Sequence, residues 1–258
     1  MRMPKFFVGS EQVENDKIRI IGEDVNHIKN VLRMKVGDTF NVCNEDSSEN
    51  YIVEIERFDN EDIRCNIVEK CENSTESNVK VHIYQGLPKA DKMELIIQKS
   101  VELGVERITP VEMKRCVVKL DGKDKIKKID RWKKIAEVAA KQCGRDIIPE
   151  VCNVENIKKI TDAFSNYNLV ILCYENEENV LLKDVLSDLK KAQEVDCSED
   201  LKIAVIIGPE GGLDISEVEF MEQRGAKVVS LGKRILRTET VALSLLSIIM
   251  YEFERNEN

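Results

Sequence analysis

The spacing of hydrophobic residues changes once along the chain, near residue 72. Before this point, apolar and polar residues alternate in short segments, such as Lys17–Ile21 and 51–58, separated by turn-forming stretches rich in Gly, Asp, Asn and Ser. One helix is expected over 24–34, because Val25, Ile28 and Leu32 recur at helical spacing behind Asp24, a residue type that caps helices. The first part of the chain is therefore predicted to be a small β-barrel or sandwich.

Hydrophobic strands and amphipathic helices alternate in the second part of the chain. Apolar stripes at helical spacing indicate helices within 93–101 and 132–143. This order is typical of an α/β domain built on a largely parallel sheet. Residues 72–78 are polar, and we divide the chain there into a first domain (1–72), a linker (73–78) and an α/β domain (79–258). The strands are predicted at 81–84, 108–113, Leu169–Cys173, 203–207 and 228–231.

Composition excludes several classes of protein. With 258 residues, 42% of them hydrophobic, the chain is long enough to bury a core without disulfides. The eight cysteines form no C-x-x-C pair and there are two histidines, so we expect no metal site, and His82 is expected in the core rather than as a catalytic base. The chain shows no leader-like apolar segment, and its longest apolar run, 241–250, is too short to span a bilayer. We therefore expect a soluble, cytoplasmic protein with no membrane partner.

Charge is distributed unevenly. The net charge is −9, which opposes binding to nucleic acid at long range. Residues 114–134, however, include ten Lys or Arg and three Asp, a local excess of +7. Such a segment is either a surface for nucleic-acid phosphates or an ordinary solvated helix face, and charge alone does not separate the two.

Candidate chemistry lies in three loops that follow predicted strands, 174–179, 208–212 and 232–240. Ligands of open α/β sheets bind beyond the carboxyl ends of strands, so any ligand of this domain is expected there. The second loop, Gly-Pro-Glu-Gly-Gly, is neither a G-x-G-x-x-G motif nor a P-loop, and alone it is also compatible with an ordinary tight turn. In the third loop, Arg237 and Glu239 precede a strongly apolar helix, where a charge is costly unless it is paired or bound to a ligand.

Three ordered motifs resemble one known family. Ile207-Gly-Pro-Glu-Gly-Gly, Leu231-Gly followed by Ile235-Leu-Arg-Thr-Glu-Thr-Val-Ala, and Arg131-Trp followed by Gln142-Cys-Gly-Arg145 are similar to the RsmE family. Its members are uridine-N3 methyltransferases of small-subunit (16S) ribosomal RNA in the SPOUT superfamily. Pro4-Lys-Phe-Phe-Val and His27-Ile-Lys-Asn-Val-Leu-Arg33 resemble the opening of that family, so the similarity covers nearly the whole chain.

The resemblance implies both a fold and a cofactor. The fold is a PUA-like β-barrel for RNA docking, followed by a SPOUT α/β domain whose C-terminal part is tied in a trefoil knot, and the protein is expected to be a homodimer. The three loops are expected to bind S-adenosylmethionine. The residues implied for this cofactor are Leu172, Gly208, Pro209, Glu210, Gly211, Gly212, Leu231, Gly232, Ile235, Leu236 and Thr240.

The resemblance also implies direct transfer of a methyl group to uridine N3 within the small ribosomal subunit. Arg237 is the expected cation that favours the deprotonated base, and Glu239 is either the proton acceptor or the ion-pair partner of Arg237. Basic side chains are expected to contact RNA phosphates. These are Arg33, Lys89, Lys92, Arg115 and Arg145.

Three alternatives remain open on the sequence. The same cofactor loops are compatible with methylation of tRNA or large-subunit ribosomal RNA. A second alternative is a noncatalytic RNA-binding protein that has kept the fold. A third is a nucleotide-binding enzyme that uses 208–212 for phosphate, and it predicts affinity for ATP.

Overall fold

A computed structural model describes residues 3–71, 75–193 and 200–254, and it divides the chain into two compact units. The first unit is Met1–Glu76 together with Ala140–Ile148, and the second unit is Ser77–Ala139 together with Pro149–Asn258. Positions 73 and 74 of the predicted linker lie outside the described residues. The contiguous division we predicted did not include the return of Ala140–Ile148 to the first unit, because hydrophobic spacing does not report which core a distant segment joins.

The first unit is built on a six-stranded sheet with the order β1-β4-β5-β6-β3-β2. Strands β1 and β4 pair in parallel and the other pairs are antiparallel. The alternation seen in the sequence buries one face, since Ile18 and Ile20 are buried while Arg19 and Ile21 are exposed. The strands are β1 (Lys5–Val8), β2 (Val13–Glu14), β3 (Lys17–Ile21), β4 (Thr39–Asn44), β5 (Asn50–Phe58) and β6 (Asp62–Cys71).

The predicted helix of the first unit is present and shorter than expected. Helix α1 (Glu23–Asn26) continues as a π-helical turn, His27–Val31, that buries Ile28 completely. The helix ends before residue 34 because Arg33 has a φ of 55°, in the left-handed region where a right-handed helix cannot continue. Val31 and Leu32 are exposed beside Arg33.

Two buried ion pairs hold Ala140–Ile148 within the first unit. Lys5 pairs with Asp146, and Arg145 pairs with Glu76. The backbone N–H of Thr75 also donates to Asp146 Oδ2 at 2.6 Å. Burial acts to raise the pKa of Asp146, but the bonds from Lys5 and Thr75 outweigh it and hold that pKa below its ordinary value.

The second unit contains a sheet whose described strands all pair in parallel, in the order β10-β8-β7-β12-β11-β13, with β9 beside β8. This confirms the predicted parallel α/β arrangement. Every residue of β12 except Lys202 is buried, as expected for a central parallel strand covered on both faces. The strands are β7 (Val79–Gly86), β8 (Arg107–Glu112), β9 (Glu150–Val151), β10 (Glu155–Asn156), β11 (Leu169–Cys173), β12 (Leu201–Ile207) and β13 (Lys227–Val229).

Helices connect these strands, and both predicted apolar stripes face the core. Met93, Ile96 and Ile97 are buried on the helix that follows β7, and Trp132 and Ala136 are buried on the next long helix. No helix in the described part of the chain is both long and apolar enough to cross a membrane. The helices are α2 (Lys92–Glu102), α3 (Gly122–Cys143), α4 (Ile157–Thr161), α5 (Leu182–Gln193), α6 (Ile215–Glu222) and α7 (Thr238–Phe253).

His82 lies in the core of the second unit, as predicted. Its ring nitrogens are 2.5 Å from the Tyr167 hydroxyl and 2.8 Å from Thr109 Oγ1. Burial lowers the pKa of His82 to about 3, so the ring is neutral near pH 7. A neutral, buried histidine with both nitrogens bonded is a structural group.

Candidate functional site

A cavity of about 1030 Å³ lies where β11, β12 and β13 end. Three loops wall it, within 173–181, 207–212 and 230–238, and Lys92 and Val241 complete the lining. Because these strands are parallel, their carboxyl ends lie at one edge of the sheet, and loops far apart in the chain meet there. The three loops singled out in the sequence therefore converge on one cavity.

Most of the residues predicted to bind the cofactor line this cavity. Three do not. Leu172 is fully buried within β11, and Thr240 is exposed on the first turn of α7. Gly211 packs against Arg115, because a Cβ at Gly211 would lie 2.8 Å from the Arg115 carbonyl oxygen. The predicted residues in the lining are Gly208, Pro209, Glu210, Gly212, Leu231, Gly232, Ile235 and Leu236.

Gly212 combines a left-handed backbone conformation with a close approach to the first loop. Its φ is 70°, which an L-residue rarely adopts, and a Cβ there would overlap Glu175 Oε1. The backbone of the second loop therefore lies directly against the carboxylate of the first loop. Any larger residue at position 212 would be strained at this φ and would require the Glu175 carboxylate to move away from the loop.

Sequence reasoning missed two residues that join the second loop to α7. Thr238 Oγ1 donates to the Gly208 carbonyl oxygen at 2.8 Å and accepts from Gln85 Nε2 at 2.8 Å. Gln85 is completely buried, and its Nε2 also donates to the Gly86 carbonyl oxygen at 3.0 Å. The available signal was an amide side chain directly after the predicted strand 81–84, since buried polar groups usually have partners.

Apart from the paired Lys92 and Glu210, the charged residues of the cavity lie on two of its loops. Glu175, Glu177 and Glu178 belong to the first loop, and Lys233, Arg234 and Arg237 belong to the third. All three cations are exposed, and no ion pair of the Arg237 guanidinium is found in the described part of the chain. An acidic wall and a basic wall suit a ligand that carries both positive and negative groups.

Glu239 does not form the ion pair with Arg237 that was one of its two expected roles. Its Oε2 lies 3.3 Å from Lys92 Nζ, and the same ammonium is 3.0 Å from Glu210 Oε1. Lys92, expected at RNA phosphates, lines the cavity and lies within ion-pair distance of both carboxylates. The sequence did not predict this, because the three residues are far apart in the chain.

The other residues expected to contact RNA differ in exposure. Arg33, Lys89 and Arg115 are exposed, and the Arg115 guanidinium also donates to the Gly211 carbonyl oxygen at 3.4 Å. The structure does not support the expected RNA contact of Arg145, because its side chain is 9% exposed and paired with Glu76. A guanidinium buried in an ion pair is not available to a phosphate.

Comparison with known proteins assigns the family. Residues 75–250 match the model of an RNA methyltransferase domain, and residues 20–68 match the model of an RNA methyltransferase PUA domain. Ribosomal RNA small subunit methyltransferase E of Bacillus subtilis is 36% identical over 98% of both chains. The chain belongs to this methyltransferase E family. The protein of the same name from Mesomycoplasma hyopneumoniae is 33% identical, over 95% of this chain and 98% of that one.

A solved structure supports the methyltransferase E assignment. The crystal structure of a ribosomal RNA small subunit methyltransferase E from Neisseria gonorrhoeae, bound to S-adenosyl methionine, is 25% identical. It covers 98% of this chain and 99% of its own, with a TM-score of 0.83. The first unit is thus a PUA-type domain and the second is the α/β methyltransferase domain, as the motifs implied. Within the described residues, no group of three or more His, Cys, Asp or Glu is placed to hold a metal ion.

Proposed function

We propose that this protein transfers a methyl group from S-adenosylmethionine to N3 of a uridine in 16S ribosomal RNA of the small ribosomal subunit. The observation that carries the proposal is the cavity at the carboxyl ends of β11, β12 and β13, in a chain of the methyltransferase E family. Its acidic and basic walls fit a ligand with a sulfonium, an ammonium and a carboxylate. Gly212 fits too, since it lets the backbone form a narrow wall that a Cβ would fill.

Specific residues are proposed for holding the cofactor. Leu231, Ile235 and Leu236 offer an apolar surface for the adenine, and the backbone of 208–212 offers hydrogen-bonding groups. The carboxylates of the first loop suit the positively charged part of the cofactor. We also propose that this part of the chain is tied in a trefoil knot, which the resemblance of its motifs implies.

The transfer requires little beyond positioning and control of one proton. Bound S-adenosylmethionine would supply an electrophilic methyl group. Uridine N3, once its proton has passed to solvent water, would bond to that carbon while the carbon–sulfur bond breaks and its electron pair stays on sulfur. Arg237, exposed at the cavity, is the cation proposed to favour the deprotonated base. Its neighbours Lys233 and Arg234 are proposed to hold RNA phosphate at the same wall.

RNA docking is proposed for the PUA-type unit and for the basic residues 114–134. Residues 27–37 contain Lys29, Arg33 and Lys35 and no carboxylate, which suits a phosphate backbone. Lys89 and Arg115 extend the positive surface near the second loop. We further propose that the protein is cytoplasmic and forms a homodimer. The homodimer is supported by Ile248 and Tyr251, two large hydrophobic side chains that are exposed on helix α7.

The cofactor proposal is tested by calorimetric titration of the purified protein with S-adenosylmethionine, with ATP and NAD as controls. Selective binding of S-adenosylmethionine is expected, whereas selective binding of ATP would support a nucleotide-binding enzyme. No binding by a folded protein would favour a noncatalytic RNA-binding protein.

The acceptor is tested separately, by incubating unmethylated small subunits, large subunits and tRNA with labelled S-adenosylmethionine and analysing the nucleosides by mass spectrometry. Label in N3-methyluridine from small-subunit RNA is expected. Label in tRNA or in large-subunit RNA would move the proposal to that substrate.

A further inference from the structure

Lys92 joins three segments of the second unit that are far apart in the chain. It is the first residue of α2, and its Nζ lies 3.0 Å from Glu210 Oε1 in the second loop and 3.3 Å from Glu239 Oε2 in the first turn of α7. All three side chains are at least partly buried, with exposed fractions of 31%, 23% and 15%. One ammonium therefore lies within ion-pair distance of two carboxylates, of which Glu210 lines the cavity and Glu239 lies beside it in the chain segment that follows the third loop.

Glu210 is held from a second direction as well. The backbone N–H of Lys89 donates to both oxygens of the Glu210 carboxylate, at 3.1 and 3.2 Å. The turn that presents this N–H contains Ala90 with a φ of 53°, a conformation that L-residues rarely adopt. Glu210 is consequently tied to the start of α2 by a backbone bond and by an ion pair.

The Lys92 ammonium reduces the repulsion between the Glu210 and Glu239 carboxylates. Without it, Glu210 and Glu239 would share one partly buried site with no positive charge between them, and like charges there repel. The attraction is mutual, since hydrogen bonding to Glu210 raises the pKa of Lys92. The pKa of Glu210 lies below its ordinary value, because its hydrogen bonds and Lys92 outweigh the opposing effect of burial.

We propose that Lys92 is a positioning residue for S-adenosylmethionine binding: it neutralises Glu210 and Glu239 and so holds the loop 208–212 against the start of α7. Glu239 then serves as a counter-ion of Lys92 rather than as the acceptor of the N3 proton. Lys92 is also not a phosphate contact, because its ammonium is already engaged by two carboxylates. This inference rests on the proposed cofactor site.

The first test measures S-adenosylmethionine binding by calorimetry for the wild type and for three variants. Lys92→Met is expected to raise the Kd at least tenfold, and Lys92→Arg, which keeps the charge, at most about threefold. Lys92→Met combined with Glu239→Gln is expected to recover much of the loss, because one repelling carboxylate is gone. Lys99→Met is the matched control on α2, since Lys99 pairs on the surface with Glu102 and does not line the cavity.

The second test does not depend on the cofactor. Amide hydrogen exchange without cofactor is expected to be faster for residues 208–212 in Lys92→Met than in Lys99→Met, because the loop has lost its ion pair. A wild type that does not bind S-adenosylmethionine would remove the proposed function, while unchanged exchange in Lys92→Met would remove the inference. An unchanged Kd in Lys92→Met with a raised KM for RNA would overturn it in favour of a phosphate contact.

Discussion

Arg145 and Arg237 both belong to the motifs that link this chain to its family, yet their surroundings differ completely. The Arg145 side chain is 9% exposed and pairs with Glu76 in the first unit. Arg237 is exposed at the cavity of the second unit, and no ion pair of its guanidinium is found in the described part of the chain. The same residue type therefore stabilises the fold in one place and is available to a ligand in the other. What distinguishes the two arginines is whether a carboxylate pairs with the guanidinium, and not whether the residue belongs to a family motif.

The largest effect is expected for Arg145→Met. This change removes the guanidinium that pairs with the largely buried Glu76 carboxylate, and removing one member of a buried ion pair costs about 3–5 kcal/mol of unfolding free energy. Urea unfolding monitored by circular dichroism measures the loss. Unchanged stability together with weaker RNA binding would show that Arg145 is a ligand contact after all.

Arg237→Ala tests whether the exposed arginine acts in the reaction rather than in the stability of the fold. Stability is expected to change by about 0.5 kcal/mol or less, as for most exposed positions. Turnover of small subunits is expected to fall about 100-fold, since removing one preorganised electrostatic stabiliser typically costs this much. Single-turnover assays at saturating cofactor measure the effect. Normal turnover with persistent RNA binding would remove Arg237 from the mechanism.

A pair of glycines extends the comparison from side chains to the backbone. Gly212 and Gly225 both have positive φ, at 70° and 100°, but a Cβ overlaps Glu175 only at Gly212, while Gly225 faces open space. Alanine at either position is expected to cost about 1–3 kcal/mol of stability through backbone strain. Only Gly212→Ala is expected to weaken S-adenosylmethionine binding, by about tenfold or 1.4 kcal/mol. Equal affinity of Gly212→Ala and Gly225→Ala for S-adenosylmethionine would show that the absence of a side chain at position 212 does not shape the binding site.

The smallest effect is expected on the exposed face of α3. Lys123, Lys127 and Lys133 are exposed, with no ion pairs found for them in the described part of the chain. Replacing all three with glutamine is expected to reduce the slope of log K against log salt for RNA binding by about 2, at roughly 0.7–0.9 per phosphate contact. Filter binding at several salt concentrations measures it. An unchanged slope would leave 114–134 as a solvated helix face.

Local patterns predicted most of the elements that carry the site. Strand β11 was predicted with its observed ends, and β7, β8 and β12 within about two residues, because alternation and apolar runs reflect burial of neighbouring residues. Strand β13 is shorter than predicted, ending at Val229, because Ser230 and Leu231 already belong to the third loop. The three loops of the cavity were predictable because each directly follows such a strand.

Contacts over long sequence distances were not predictable in this way. Gln85 bonds to Thr238 across 153 positions, and the Lys89 N–H bonds to Glu210 across 121. The expected roles of Lys92 and Arg145 changed for the same reason, since the carboxylates that engage them are distant in the chain or in another motif. A charged residue in the sequence indicates that an oppositely charged partner or a ligand is needed, but it does not indicate which residue is that partner.

The sequence by itself determined the alternating strands and helices that carry the cavity, the placement of the three loops and the family of the chain. These follow from the periodic burial of neighbouring residues and from motifs that are contiguous. The tertiary structure alone decided that Ala140–Ile148 joins the first unit, that Lys92 stands between Glu210 and Glu239, and that Arg237 is left exposed at the cavity. The physical reason is that burial of a charge requires a partner. Only the folded chain, which brings distant residues within a few ångströms, supplies one.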